Sequence, residues 1–203
     1  MHNFAFVAKD EIEIGTALKM DIKPWSRQRR FTSGELPSRR EVIDRIVSIS
    51  DERTRFIAAF MYLTGCRVGE MVRGNDGLPT VVRENVFKDG EYHDCLKFTL
   101  RNEKNPHKEF KVKILPVKIC EDQELCNVII SLIRYFSHVP GKRRIEQLLS
   151  DSIGWNPHFL RHLRLTDLAT RKKFTDQQLT RWAGWSDSRP ARTYIKYRYE
   201  ELL

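Results

Sequence analysis

Paired cysteines, long apolar runs and an excess of acid are all missing from this 203-residue chain. Its four cysteines, Cys66, Cys95, Cys120 and Cys126, form no Cys-x-x-Cys pair. Free thiols in a reducing compartment are therefore expected, not a disulfide framework. His93, Cys95 and His107 can be grouped as a zinc set, but their spacing matches no structural zinc ribbon, so no metal is expected. No apolar run approaches the ~20 residues needed to span a bilayer. Met1-His2-Asn3-Phe4 offers neither the basic lead nor the apolar core of a secretory signal. The expected compartment is the cytoplasm, with no membrane partner. No internal repeat or low-complexity segment is visible.

What is present is positive charge on a folded chain. Lys and Arg total 36 against 27 acids, a formal charge of +9, which favours a polyanionic partner. Hydrophobic residues make up 40% of the chain and aromatics 10%. That is enough for one well-cored domain, or one domain plus an arm.

Local signals order the chain. Residues 1–36 are mixed, with a basic stretch at Arg27, Arg29 and Arg30 and a turn-like Thr32-Ser33-Gly34, and read as an arm or linker. Ser38-x-x-Glu41 is a capping box that opens a helix to about residue 49. Asp51 caps a second, whose Phe56, Ile57, Phe60 and Met61 recur at helical spacing and which Gly65 stops. Arg67 thus falls just past a helix end. After residue 78 the period changes. Leu96, Phe98 and Leu100 alternate, as do Phe110, Val112 and Ile114, with a turn at Asn105-Pro106 between them. This predicts a hairpin, to which Thr80–Phe87 adds a third strand.

Helical spacing returns from Leu125 to Phe136 and ends at Pro140-Gly141. Asn156-Pro157 is an N-cap and N1 pair that starts a helix at His158. Thr175-x-x-Gln178 caps the helix leading to Trp185, and Ser188 with Pro190 starts the last one, which holds Tyr194. The predicted class is mainly α (α+β), helices around a small antiparallel sheet.

Chemistry-bearing residues sit at these element ends. His158-Phe159-Leu160-Arg161-His162 puts a histidine and an arginine three apart on one helix face, in the first turn, where unpaired N–H groups favour phosphate. Arg67 lies in Thr64-Gly65-Cys66-Arg67-Val68-Gly69-Glu70, Trp185 follows Gly184, and Tyr194 lies nine residues beyond it. Guanidinium forks donate paired hydrogen bonds to phosphate and stay charged. A histidine moves protons, and a tyrosine phenol of pKa ~10 attacks phosphorus once activated. Tyr197 and Tyr199 are nearby rivals for that last role.

In order and spacing these boxes resemble the tyrosine recombinase (phage-integrase) family over about Leu36 to Tyr194. The resemblance implies that residues 37–203 form the family's catalytic domain, mostly helical around a three-stranded antiparallel sheet. It implies a site-specific DNA recombinase or integrase that breaks and rejoins strands without metal, nucleotide or other cofactor, through a 3′-phosphotyrosyl intermediate. Arg67 and Arg161 would hold the phosphate oxygens, His158 would accept the proton, and Trp185 would donate its indole N–H. Tyr194 would be the nucleophile, by the family's spacing. Lys104 in the hairpin turn would protonate the leaving 5′ oxygen, with Lys108 as its rival. Double-stranded DNA is the implied partner, and the family assembles as a tetramer on it. Arg164, Arg189, Arg192 and Lys196 are candidate contacts to the DNA backbone, because basic residues cluster beside the boxes.

Family members carry a core-binding domain of ~100 residues ahead of the catalytic domain, and only 36 residues precede it here. The chain, with that domain absent from it, is therefore expected to be either a catalytic-domain fragment or a minimal recombinase that relies on a partner, and to bind DNA weakly and with salt sensitivity. Two other readings keep the fold: DNA relaxation like that of type IB topoisomerases, and a non-catalytic DNA-binding remnant. An ordinary helix-turn-helix regulator leaves Arg67 and the Trp185–Tyr194 spacing without a purpose.

Overall fold

The computed structural model describes residues 36–72, 74, 77–102, 110–117 and 122–200, with side chains to residue 195. Among them are eight α-helices and one sheet. Ser38 caps α1 (Arg39–Val47), its hydroxyl accepting from the Glu41 N–H at 3.2 Å. The Glu41 side chain pairs with Arg45 instead of closing the box. Asp51 caps α2 (Glu52–Thr64), accepting from the Thr54 N–H at 2.9 Å, and Gly65 ends it at φ +57°, a left-handed turn that costs glycine no Cβ clash.

Helix α2 is the axis of the domain. Every residue from Phe56 to Thr64 is buried, the large apolar ones Phe56, Ile57, Phe60, Met61, Tyr62 and Leu63 among them. A helix apolar on all sides must be wrapped by others. It is packed by α4 (Gln123–Leu132), α5 (Lys142–Ile153) and α6 (Pro157–Thr170). Phe60 meets Phe98 edge-on at 5.2 Å, tying α2 to the sheet.

The sheet runs β1 (Thr80–Lys88), β2 (Glu91–Arg101), β3 (Phe110–Pro116), antiparallel and in chain order. Register pairs Val81 with Phe98 and Phe98 with Lys113. The period-2 pattern of β3 holds, but its apolar face is the outer one. Phe110, Val112 and Ile114 are exposed, while Lys111, Lys113 and Leu115 point inward. The inward lysines are stabilised because each finds an acceptor, as described below. Residues 103–109, with the predicted turn and both Lys104 and Lys108, lie outside the described residues.

The predicted helix from Leu125 to Phe136 is α4 followed by a 3₁₀ segment, Ile133–His138. Helix α5 has no counterpart in the sequence reading. Beyond it, Asn156 caps α6, its side chain accepting from the Phe159 N–H at 2.8 Å. Thr175 and Gln178 form a complete capping box at the start of α7 (Asp176–Ala183). Gly184 closes α7 at φ +70°, and α8 (Arg189–Glu200) follows. Helices α6, α7 and α8 enclose a second core of Leu165, Leu168, Ala169, Leu179, Ala183 and Ala191. Trp185 and Tyr194 pack against its edge. No described helix is long and apolar enough to cross a membrane.

Candidate active site

Three distant stretches meet where α2 ends, α6 begins and α7 turns into α8. The left-handed turn at Gly65 leads into Arg67, which caps a short helix α3 (Val68–Met71) that the sequence did not suggest. The Glu70 carboxylate accepts from the Arg67 backbone N–H at 2.9 Å and from its guanidinium at 3.2 Å. Glu70 is fully buried, and Arg67 is partly accessible.

Arg161 reaches toward the same turn. Its guanidinium donates to the Gly65 carbonyl, and to the Ala183 carbonyl at 3.1 Å. It is 4% exposed. Burial, and next the neighbouring charge of Arg67, lower its pKa, yet a guanidinium starting so high stays protonated. The two arginines of the boxes are therefore close enough to repel each other, and Glu70 offsets part of that repulsion.

Lys111 supplies a third cation. Its Nζ donates to Glu70 at 2.6 Å and to the Ala183 carbonyl at 3.4 Å. Burial lowers its pKa, opposed by Glu70. Burial alone would raise the Glu70 carboxyl, but Lys111 and the Arg67 N–H pull it below the usual carboxylate range. The result is one carboxylate among three basic side chains, a site with surplus positive charge in a dry setting, which suits an anion. Lys113, one turn of the pleat away, donates to the Thr64 carbonyl and lies 4.8 Å from the Trp182 ring centre. Burial drives its pKa well down, and its hydrogen bond ties β3 to the end of α2. Neither lysine was foreseen. Alternating lysines on a strand ordinarily face water, and only the fold reveals that this face is inward.

The aromatic side of the site comes from α6 to α8. The Arg161 guanidinium lies 5.7 Å from the Trp185 ring centre, and Trp185 stacks on Tyr194 at 5.9 Å and 22°. His162 also meets the Tyr194 ring, at 5.3 Å, and the Tyr194 hydroxyl lies 3.4 Å from its Nδ1. His162 was quoted in the sequence only as part of the box and given no role. His158 lies one helical turn earlier, exposed in the first turn of α6. Cys66, beside Arg67, is no rival nucleophile, since burial pushes its thiol up to about 11.

Of the backbone-contact candidates, Arg164 requires correction. It is 1% exposed and donates to Asp122 at 3.0 Å and Asp167 at 3.4 Å, with Arg39 joined to Asp122 at 2.6 Å. It sits near the Tyr62 ring, centre at 5.5 Å. A buried, paired guanidinium cannot reach a duplex, so Arg164 belongs to the domain interior. Arg189 and Arg192 are exposed, although Arg189 is paired with Asp187 at 3.1 Å. The side chains of Lys196, Tyr197 and Tyr199 lie outside the described residues. Among the described residues no group of three His, Cys, Asp or Glu side chains could hold a metal ion.

No family model and no curated protein matches the sequence. The fold is similar to that of a solved structure, the site-specific recombinase XerH bound to its difH substrate in a pre-cleavage complex. The TM-score is 0.50 at 15% identity, over 85% of this chain and 51% of that one. The likeness shows the fold. This chain has a recombinase-like architecture, mainly helical with a three-stranded antiparallel sheet. It spans about half the length of the XerH chain.

Proposed function

We propose that this chain is the catalytic domain of a tyrosine site-specific recombinase, cutting and rejoining DNA by transesterification. The observation that carries the reading is the meeting of Arg161, Trp185 and Tyr194. Residues from two boxes, 24 and 9 positions apart, form one cation–ring–ring array beside Arg67 and Glu70. The net charge of +9 and the DNA-bound state of the similar recombinase agree with DNA as the partner.

In this reading the scissile phosphate docks against Arg67 and Arg161, whose charge stabilises the pentavalent transition state. The Tyr194 oxygen attacks phosphorus, a 3′-phosphotyrosyl bond forms, and the P–O5′ bond breaks. A lysine of the β2–β3 connection, Lys104 or Lys108, protonates the leaving oxygen. His158, at the rim of the same helix start, meets the phosphate. A 5′-hydroxyl from a partner strand later attacks the phosphotyrosine and restores the phosphodiester. The bond exchange conserves energy, so the chemistry needs no nucleotide. Residues 37–203 supply this domain, and strand exchange calls for self-association on DNA.

The test is a covalent adduct. The chain is incubated with duplexes nicked near randomised sites, so that the released 5′ fragment diffuses away, and protein–DNA bands are read on a denaturing gel. A band lost in Tyr194→Phe and kept in Tyr197→Phe supports the reading. Its absence across the pool overturns it in favour of DNA binding without turnover.

A further inference from the structure

We infer that the Asn102 amide is a further DNA-binding group of the candidate active site, donating an N–H to a non-bridging oxygen of the scissile phosphate. The contact belongs to the proposed recombinase chemistry and rests on that reading.

Asn102 follows β2 directly and is 7% exposed. Among the described residues its Oδ1 has no hydrogen-bond partner. A buried amide oxygen in that state weakens the fold, because it has lost water and gained no donor. Its surroundings point to a ligand. Oδ1 stands 3.4 Å from the point where a Cβ on Gly184 would lie, and Lys111 Nζ stands 3.0 Å from the same point. Lys111 in turn donates to Glu70 and to the Ala183 carbonyl, which Arg161 also holds. Asn102 is thus packed at the Gly184 turn, beside the cations of the anion site.

An amide suits that position in two ways. With no anion bound, its oxygen lies near Lys111 and offsets part of the surplus positive charge with the negative end of a dipole. A half-turn about the Cβ–Cγ bond exchanges the oxygen and the NH2 group at nearly the same shape. The side chain then presents an N–H to an anion, and no hydrogen bond to Oδ1 opposes the turn. A carboxylate only accepts, and an aliphatic side chain does neither. The donor is also neutral. It orients the phosphate without adding to the repulsion that Arg67, Arg161 and Lys111 already exert on one another.

The experiment uses the full chain with Asn102→Leu, which keeps the volume and removes the amide, and Asn102→Asp, which keeps the shape and removes the donor. Neither variant should unfold at lower urea than the unaltered chain, since the leucine removes an unpaired dipole and the aspartate gives the cations a second carboxylate. On the duplex that yields most adduct in the nicked pool, Asn102→Leu should slow adduct formation roughly 10- to 100-fold, the scale of one hydrogen bond to a charged acceptor. Asn102→Asp should be slower still, because its charge repels phosphate. The deciding comparison replaces one non-bridging oxygen of the scissile phosphate by sulfur, a weaker acceptor, in each of the two configurations in turn. The penalty of Asn102→Leu should shrink toward unity for one configuration and persist for the other.

An unaltered rate in Asn102→Leu overturns the inference and leaves the recombinase reading intact. So does a penalty that is the same for the plain phosphate and for both sulfur configurations. A urea midpoint lowered in both variants overturns it as well, marking the amide as part of the packing. If the unaltered chain forms no adduct with any duplex, the recombinase reading falls and this contact with it.

Discussion

Lys111 on β3 reaches Glu70 on α3 at 2.6 Å, joining positions 41 residues apart in a pair almost wholly out of water. Removing one member leaves the other buried without its counter-charge. Glu70→Gln should therefore destabilise the fold by about 3 kcal/mol, read as a lower urea midpoint. Lys111→Met should cost less, because Arg67 still faces the carboxylate. Equal costs would mean that the pair contributes no more than ordinary packing.

Acid should expose the same pair. The carboxyls of Glu70 and Asp122 are held below their usual values in the fold, by Lys111 and by Arg164 with Arg39, against the upward push of burial. A depressed folded-state pKa contributes stability that is full above the unfolded value, ~4.3 for Glu and ~3.9 for Asp, and is lost as pH falls through the folded one. The urea midpoint should thus drop steeply below about pH 4 and more gently in Glu70→Gln and Asp122→Asn. Asp167 is shifted the other way, raised by burial despite Arg164. Asp167→Asn should leave the acid slope in place and cost less stability than Asp122→Asn.

Gly184 is a position where one methyl group should matter. It adopts φ +70°, and an added Cβ would lie 3.0 Å from Lys111 Nζ and 3.1 Å from Cδ. The left-handed backbone alone costs a side chain about 1–2 kcal/mol. Gly184→Ala should lower the melting temperature and reduce adduct formation, since the turn carries Trp185. Gly141→Ala, where a Cβ meets nothing within 4 Å, is the control.

Salt dependence should separate surface from interior arginines. DNA binding by this chain should be weak and salt-sensitive, and Arg192→Ala should reduce the slope of log K against log salt by roughly 0.9 if it meets one phosphate. Arg164→Met should leave that slope unchanged and instead lower stability, because it leaves the buried Asp122 and Asp167 carboxylates to Arg39 and the partly exposed Arg171. A smaller slope in Arg164→Met would return that residue to the DNA-binding surface.

Local grammar made much of the fold legible. The caps at Ser38, Asp51, Asn156 and Thr175 act within three residues of themselves, so their helices could be read directly. Helix α5 escaped notice because Gly141 offers no side-chain cap and its buried residues are few: Ile145, Leu149 and Ile153. The inward face of β3 was hidden for a different reason. Burying Lys111 and Lys113 is tolerable only because Glu70 and the Thr64 carbonyl, more than 40 residues earlier, are waiting there. The boxes around Arg67, Arg161, Trp185 and Tyr194 were readable as strings. The closeness of His162 to Tyr194 was not, since it depends on how α8 crosses α6.

One peptide oxygen, that of Ala183, is gripped at once by Arg161 from α6 and by Lys111 from β3. It works as a shared mooring. A ligand that draws either cation toward itself slackens one of the two lines, leaving the other and the backbone bonds from Gly184 and Trp185 to Thr180 to hold the segment. The positions of Arg161 and Lys111 and the seating of the Tyr194 ring against Trp185 are in this way linked through a single carbonyl.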